Sequence, residues 1–215
     1  MAEPDDLLVC ERVTKQFGSL AAVKDLSFSA RRGEILGIGG PNGAGKTTLF
    51  DVLSGLNEAT SGRVVLDGKD ITRAAPEAIC HAGIARTFQL NACFDSLTVR
   101  ENVQVGAVFG RAVHGLPGLR PTAEAEAATD EALALVGLAD KGNTVAGALP
   151  VLDRKLLMLA GAMATRPKLL LMDEPVGGLT HAEIDLMMET VRRIKAQGVT
   201  IILIEHVMRF LVALS

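Results

Sequence analysis

The stretch that decides the fold runs from Glu34 to Phe50 and reads EILGIGGPNGAGKTTLF. Its first six residues form a compact apolar strand pattern, and the glycine-rich turn that follows leads into residues that favour a helix. The pattern G-x-x-x-x-G-K-[ST] is matched by Gly40, Pro41, Asn42, Gly43, Ala44, Gly45, Lys46 and Thr47, and Thr48 comes next. In such a loop, backbone N–H groups surround a phosphate, the lysine reaches the β- and γ-oxygens, and the hydroxyl binds Mg²⁺. The flanking strand and helix are the context that this motif requires, so we predict a nucleotide phosphate site at residues 40–48.

A second candidate site follows an apolar strand predicted at Lys168–Asp173, which leads into Asp173-Glu174-Pro175. Parallel α/β sheets place their chemistry at the carboxyl ends of such strands. We predict that Asp173 holds Mg²⁺ through water and that Glu174 orients and polarises an attacking water as general base. Alone, this tripeptide could be a polar turn, but in combination with the phosphate loop it indicates nucleotide hydrolysis.

The rest of the pattern predicts an α/β fold. Short strands are expected at residues 9–14, 26–30 and 200–205, a hairpin around Asp67-Gly68, and helices at residues 98–109, 122–136, 153–165 and 181–196. Thr98 and Glu101 have capping-box spacing. This order predicts a phosphate-loop core with a parallel sheet, an N-terminal antiparallel β portion, and a helical insertion at about 90–165.

Composition excludes several classes of protein. The 215 residues include 22 Lys and Arg against 25 Asp and Glu, 48% are hydrophobic, and Trp and Tyr are absent. A disordered tail is excluded by the apolar fraction, and a basic nucleic-acid binder or an aromatic stacking platform is disfavoured. The cysteines Cys10, Cys80 and Cys93 lack metal-ligand spacing and indicate reduced thiols. No apolar run is long enough for a membrane span and the start lacks signal-peptide features, so any membrane connection is expected to go through a partner.

Taken together, these motifs resemble the ATP-binding cassette (ABC) family, the motor subunits of membrane transporters. The resemblance covers nearly the whole chain in order, implies ATP and Mg²⁺ as ligands, and implies one ATP-binding domain over residues 1–215. It implies that Phe17 stacks on adenine, that Val23 packs near the same ring, and that His206 contacts the γ-phosphate. It also implies that Gln89 senses Mg²⁺ and couples to the membrane partner. Gly178-Leu179-Thr180 lies where the family has its D-loop.

A finer resemblance lies in the amino-acid sequences of three motifs. ARTFQ, PNGAGKTTLF and LIEHVM are similar to ATPase subunits of importers for branched-chain amino acids and related amides or urea. This implies transmembrane permease subunits and a second ABC ATPase subunit as partners, in a homodimer or heterodimer, and indirectly a periplasmic substrate-binding protein. It implies a peripheral position on the cytoplasmic face of the inner membrane and no nucleic-acid partner.

The chain departs from the family at its signature motif. The expected Leu-Ser-Gly-Gly-Gln falls on Leu149–Asp153, which reads LPVLD and keeps only the leucine. Pro150 offers neither N–H nor hydroxyl to a partner's phosphate, although Asp153 could cap the following helix. Gly161 replaces an arginine usual in that helix. Two hypotheses stay open: a heterodimer in which only the site built on Lys46 and Glu174 hydrolyses ATP, or full turnover at both sites.

Two further alternatives belong to other functional classes. One is a regulatory cassette that binds ATP with impaired hydrolysis, because the signature is degenerate. The other is a cassette protein acting on ribosomes or in DNA repair, which the absence of tandem cassettes and long coiled-coil insertions disfavours. The chain ends nine residues after His206, where family members usually continue, so its C-terminal end is expected to be truncated relative to the family.

Overall fold

The computed structural model describes residues 5–88, 93–110 and 121–214. In chain order, the elements are β1 (Asp6–Phe17), β2 (Leu20–Arg31), β3 (Ile35–Ile38), α1 (Lys46–Leu53), β4 (Ser61–Leu66), β5 (Lys69–Asp70), α2 (Pro76–Ala82), β6 (Ile84–Thr87), α3 (Val99–Phe109), α4 (Ala123–Val136), α5 (Val151–Ala164), β7 (Leu169–Asp173), α6 (His181–Ala196), β8 (Thr200–Ile204) and α7 (Met208–Leu214). Two short 3₁₀ turns, Ala139–Lys141 and Ala146–Ala148, lie between α4 and α5.

A four-stranded parallel sheet in the order β3-β8-β7-β6 forms the centre of the fold, which confirms the predicted α/β class. Every residue of β7 and β8 is buried. This explains their uninterrupted apolar sequences, because a parallel sheet is covered on both faces. The strands run the same way, so the segments after β3, β7 and β8 emerge at one edge of the sheet.

The two faces of this sheet border separate hydrophobic clusters. Leu169, Leu171, Ile202 and Ile204 pack into a cluster with α1 and the antiparallel sheet. Leu170, Met172, Ile201 and Leu203 pack into a second cluster with α3 to α6. The alternation follows from the two-residue period of a strand. The phosphate loop and α1 therefore lie on one side of the sheet, and helices α3 to α6 lie on the other. Helices α3, α4 and α5 are called the helical part below.

The antiparallel sheet has the order β2-β1-β4-β5. Its first two strands are much longer than the sequence predicts, because register shifts such as the one between Cys10 and Val13 interrupt the apolar alternation. The predicted hairpin is confirmed, with Asp67 (φ 51°) and Gly68 (φ 76°) in its two-residue turn. Hydrogen bonds from Lys168 and Arg32 hold the Asp67 carboxylate and lower its pKa.

Three helices, α3, α4 and α5, pack against one another between β6 and β7 in the sequence. The predicted capping box at the start of α3 is present: the Thr98 side chain accepts from the Glu101 N–H, and the Glu101 carboxylate accepts from the Thr98 N–H at 2.7 Å. A Cβ at Gly106 would lie 2.2 Å from the carbonyl oxygen of Gly161. Helices α3 and α5 thus cross closely where the family resemblance would place an arginine.

Helix α7 is not predicted from the sequence, and its Phe210, Leu211 and Leu214 are buried. No helix in the described part of the chain is both long and apolar enough to span a bilayer.

Candidate functional site

The phosphate loop is fixed by its contact with β2. Gly45 caps α1 with φ 80°, and a Cβ at this position would lie 1.9 Å from the carbonyl oxygen of Ala22. Only glycine combines this left-handed backbone with so close an approach. The result is a loop held against the antiparallel sheet, with the N-terminus of α1 and its free N–H groups facing the loop.

Lys46 is the first residue of α1, and its side chain folds back over the loop. Its Nζ donates to the carbonyl oxygens of Gly40 at 2.7 Å and Pro41 at 2.8 Å. The ammonium charge therefore lies at the centre of the loop, next to the helix terminus. An anion at this place meets a cation and a helix N-terminus together.

Glu174 and His206 come to the same edge of the sheet from β7 and β8. The Glu174 N–H donates to the carbonyl oxygen of Ile204 at 2.9 Å, and Glu174 has φ 47°. Its Oε1 lies 3.9 Å from Nδ1 of His206, whose side chain is mostly exposed. The two groups can therefore face one molecule bound on the phosphate loop.

One open cavity of about 830 Å³ joins most of these residues. It is lined by Phe17, Leu20, Ala21, Ala22, Gly40, Pro41, Asn42, Gly43, Gly45, Lys46, Thr47, Thr48, Glu174 and His206. Residues 20–22 are additions that the sequence analysis missed, since nothing in LAA distinguishes them from an ordinary strand start. The structure thus brings the phosphate loop, the general-base candidate and the histidine together in a space large enough for a nucleotide.

Of the two residues expected at the adenine ring, only Phe17 lines this cavity. Phe17 as a whole residue is 46% exposed, so it is not a core residue, and Nζ of Lys15 lies 4.8 Å from its ring centroid. Val23 is buried beneath the loop, where its Cγ2 would lie 3.5 Å from a Cβ at Gly45. Ala44 is not among the residues that line the cavity.

Asp173 ends β7 and is buried. Its Oδ2 accepts from Nη2 of Arg86 at 3.2 Å, and Nη1 of the same arginine donates to Oδ1 of Asp51 at 2.7 Å. Burial raises the pKa of the Asp173 carboxyl above its usual value, and Arg86 opposes that rise. The hydroxyl of Thr47 and the carboxylate of Asp173 are hard oxygen donors, a set that fits Mg²⁺ when phosphate oxygens and water complete its shell.

Glu205 is a buried carboxylate to which the sequence analysis gave no role. Its Oε2 accepts from the N–H groups of His206 at 2.8 Å and Val207 at 3.0 Å, and its Oε1 accepts from Val176 at 3.1 Å. These bonds tie the turn after β8 to the turn after β7. The backbone of His206 is thereby held next to the turn that follows Glu174. An acid directly after an apolar strand was the available signal.

The buried Lys155 on α5 supports the same region. Its Nζ lies 3.4 Å from the carbonyl oxygen of Glu174. Burial lowers the pKa of this lysine, and the carboxylates of Glu205 and Glu174 oppose that shift. A helix of the helical part is in this way bonded to the acidic end of β7.

At the degenerate signature, the expectation that Asp153 caps α5 is wrong. Pro150 is the N-cap and supplies no side-chain hydrogen bond. Asp153 is the third helical residue, and its Oδ2 instead accepts from Nζ of Lys141 at 2.6 Å. Its charge is thus paired within the chain, and exposed Val145 and Val151 flank this helix start.

Two expected features remain to be placed. Gln89 lies outside the described residues. The segment at Gly178-Leu179-Thr180 forms a turn, with Gly178 at φ 79° and the Leu179 N–H donating to the Val176 carbonyl oxygen at 3.1 Å, and leads into α6.

Comparison with known proteins finds a matching family model and similar curated proteins. A family model described as ABC transporter matches residues 23–177. The chain is 33% identical over 218 residues to the probable branched-chain amino acid transport ATP-binding protein LivG of Methanocaldococcus jannaschii, which covers 96% of this chain and 82% of that protein. It is 36% identical over 194 residues to the ribose import ATP-binding protein RbsA of Halalkalibacterium halodurans, which covers 90% of this chain and 38% of that protein. The chain thus spans about two fifths of the length of the ribose relative.

Among solved structures, a nucleotide-free ATP-binding cassette from an ABC transporter superposes with a TM-score of 0.84 at 31% identity, over 97% of this chain and 85% of that one. These comparisons give no support to the alternative of a regulatory cassette with impaired hydrolysis.

Proposed function

This chain belongs to the ABC transporter family, whose ATP-binding domains are ATPases, and from that membership we propose that it powers the import of branched-chain amino acids or related small amides. The observation that most supports ATP hydrolysis as the source of that power is the shared cavity of Lys46, Glu174 and His206. We interpret the chain as one ATP-binding domain whose helical part, at about 90–165, forms a subdomain. Its proposed place is the cytoplasmic face of the membrane, bound to permease subunits.

In the proposed mechanism, the triphosphate lies in the loop at residues 40–48. The Lys46 ammonium exchanges its bonds to the Gly40 and Pro41 carbonyl oxygens for phosphate oxygens. Glu174 accepts a proton from the attacking water, and His206 donates a hydrogen bond to the γ-phosphate as negative charge shifts. Phe17 offers its ring to the adenine.

Mg²⁺ fits beside this machinery, where Thr47 and Asp173 would hold it and Gln89 is proposed to approach it. Mg²⁺ held there would supply positive charge that offsets the negative charge of the phosphate oxygens. The proposed task of Glu174 is then to align the attacking water.

A groove in the helical part suits the permease. This cavity, of about 400 Å³, lies between α2, β6, α3 and α5 and is mainly apolar, with Pro76, Ile79, Phe88, Val105 and Leu157 among its lining residues. We name it the inter-helix groove and propose that a short apolar helix of a permease subunit occupies it. Because Arg86 lines the groove and also bonds Asp173, an occupant there would lie close to the metal site.

The substrate part of this proposal rests on motif sequences and on relatives, because the ATPase itself touches no nutrient. The motif sequences ARTFQ and LIEHVM favour amino acids or amides as the transported substrate. The similarity to RbsA favours ribose as the second candidate substrate. Transport of labelled leucine and labelled ribose by cells with and without this chain would discriminate. Loss of ribose uptake alone would overturn the amino-acid assignment.

The ATPase mechanism is tested by Glu174→Gln, which keeps the size of the side chain and removes its basicity. We expect ATP to bind as before, and turnover to fall by about 10²- to 10⁴-fold, the usual contribution of a general base. Glu131→Gln is the matched control, because Glu131 is an exposed partner of Arg166 on the helical part.

Three results would contradict the proposal. If Glu174→Gln hydrolyses ATP near the wild-type rate, Glu174 is not the general base. An equal loss in Glu131→Gln would show that charge in general, not this carboxylate, matters. ATP binding without any turnover of the wild-type chain in its assembled transporter would favour a regulatory cassette.

A further inference from the structure

Arg86, on β6, is a buried cation outside the residues assigned above. Its side chain is 6% exposed, and its two terminal nitrogens bond carboxylates on two different elements. Nη2 donates to Asp173 at the end of β7, and Nη1 donates to Asp51 on α1 at 2.7 Å and to Ser54 at 3.2 Å. One guanidinium therefore joins the acidic strand end to the helix that carries the phosphate loop.

The surroundings of Arg86 hold its guanidinium in place. Its Cζ lies 5.6 Å from the ring centroid of Phe50 and 5.0 Å from that of Phe88, within cation–π range. Among the described residues that line the inter-helix groove, Arg86 carries the only charge. The guanidinium is thus in contact with the metal-site carboxylate on one side and with the proposed permease groove on the other.

We propose that Arg86 is a positioning residue that orients the Asp173 carboxylate for Mg²⁺ and anchors it to α1 through Asp51. One oxygen of Asp173 accepts from Arg86; this bond would restrict rotation of the carboxylate, and the other oxygen would then serve the metal shell. Partners of this kind fix the geometry of metal-binding carboxylates in many proteins. The proposal rests on nucleotide binding at the site described above.

Burial of this arginine argues for such a role. Two carboxylates and a guanidinium lose much of their hydration here, and well-packed apolar residues would often be as stable. Arginine rather than lysine suits the place, because its planar fork can bond two carboxylates at once while its face lies against aromatic rings. If Arg86 orients Asp173 in this way, its removal should weaken metal binding, which a metal titration can measure.

The test is Mn²⁺ binding to the chain loaded with a non-hydrolysable ATP analogue, followed by electron paramagnetic resonance. Arg86→Met should weaken Mn²⁺ binding by about 10- to 100-fold, the usual effect of removing a partner of a metal ligand. Arg86→Lys should recover part of the loss, since its ammonium can pair with one carboxylate. Arg100→Met is the matched control, because Arg100 also bonds two carboxylates, Glu126 and Asp130, away from the site.

Analogue binding in the presence of EDTA separates the possible failures. If the wild-type chain binds no analogue, the proposed function fails and not this inference alone. If every variant binds the analogue but Arg86→Met keeps the wild-type Mn²⁺ affinity, or Arg100→Met loses as much, the inference is overturned. If Arg86→Met does not fold, Asp51→Asn removes only the anchor on α1; a weaker Mn²⁺ affinity supports the inference and an unchanged one overturns it.

Discussion

Replacement of Gly45 by alanine tests whether the phosphate loop is built on contact with β2. Gly45 caps α1 in the left-handed region, and the added methyl group would point at the backbone of Ala22. Gly43 offers a matched control within the same loop. It has nearly the same φ, 83° against 80°, but no atom lies within 4 Å of its Cβ position.

The magnitude follows from two separate effects. A left-handed alanine costs about 1–2 kcal/mol, and this applies to both variants. At Gly45 the Cβ would also lie 1.9 Å from the Ala22 carbonyl oxygen, where real Cβ atoms essentially never come closer than 3.0 Å. The loop or β2 must therefore move, and such overpacking costs about 1–3 kcal/mol more. Gly45→Ala should lose about 1–3 kcal/mol of unfolding free energy beyond Gly43→Ala.

The assay is urea unfolding of both variants and the wild-type chain, with midpoints and slopes compared. We expect the midpoint to fall in both variants and to fall further in Gly45→Ala, with unchanged slopes. Equal midpoints for the two variants would refute the steric argument, because their φ angles are alike and only Gly45 has the close approach to Ala22.

Three further predictions concern other parts of the chain. The pKa of the Asp67 carboxyl is lowered to about 2 by its two cationic partners. The stabilisation that these ion pairs give is therefore full above the unfolded-state pKa of about 4 and is lost as pH falls through about 2. An NMR titration of the carboxyl measures this pKa, and a value near 4 would contradict the prediction. Burial raises the pKa of the Cys10 thiol to about 12, so a thiol reagent should modify Cys80 well before Cys10 in the folded chain, and equal rates would count against the packing of β1. Thr98→Ala should destabilise the chain by about 1 kcal/mol through loss of the α3 capping box, whereas Thr98→Ser should keep most of that stabilisation. Comparison of the urea unfolding midpoints of the two variants tests this, and equal midpoints would contradict it.

Much of the fold could be predicted because local chemistry and tertiary structure agree. The hairpin at Asp67-Gly68, the capping box of α3 and the apolar strands β7 and β8 each have a signal within a few residues. The phosphate loop is the strongest case, since its glycines, lysine and flanking elements are contiguous in the sequence. Such features depend little on residues far along the chain.

Other features depend on contacts that no local pattern encodes. The lengths of β1 and β2 are set by bulged pairing. Helix α5 begins at Val151 after Pro150, so Asp153 lies inside the helix, where its carboxylate accepts from Lys141. The pairing of Arg86 with Asp51 and Asp173 joins residues that are distant in sequence. A single sequence shows the residue types there but not the geometry that brings them together.

The central claim is that the loop at residues 40–48 binds the terminal phosphates of a nucleotide, and calorimetry with magnesium and ATP tests it most directly. The wild-type chain and the control Lys69→Ala, exposed on β5, should both give a clear heat of association. Lys46→Ala should bind at least about tenfold more weakly, because hydrogen bonds from a charged donor contribute about 1.5–3 kcal/mol. No heat from the folded wild-type chain, or equal binding by Lys46→Ala, would contradict the account.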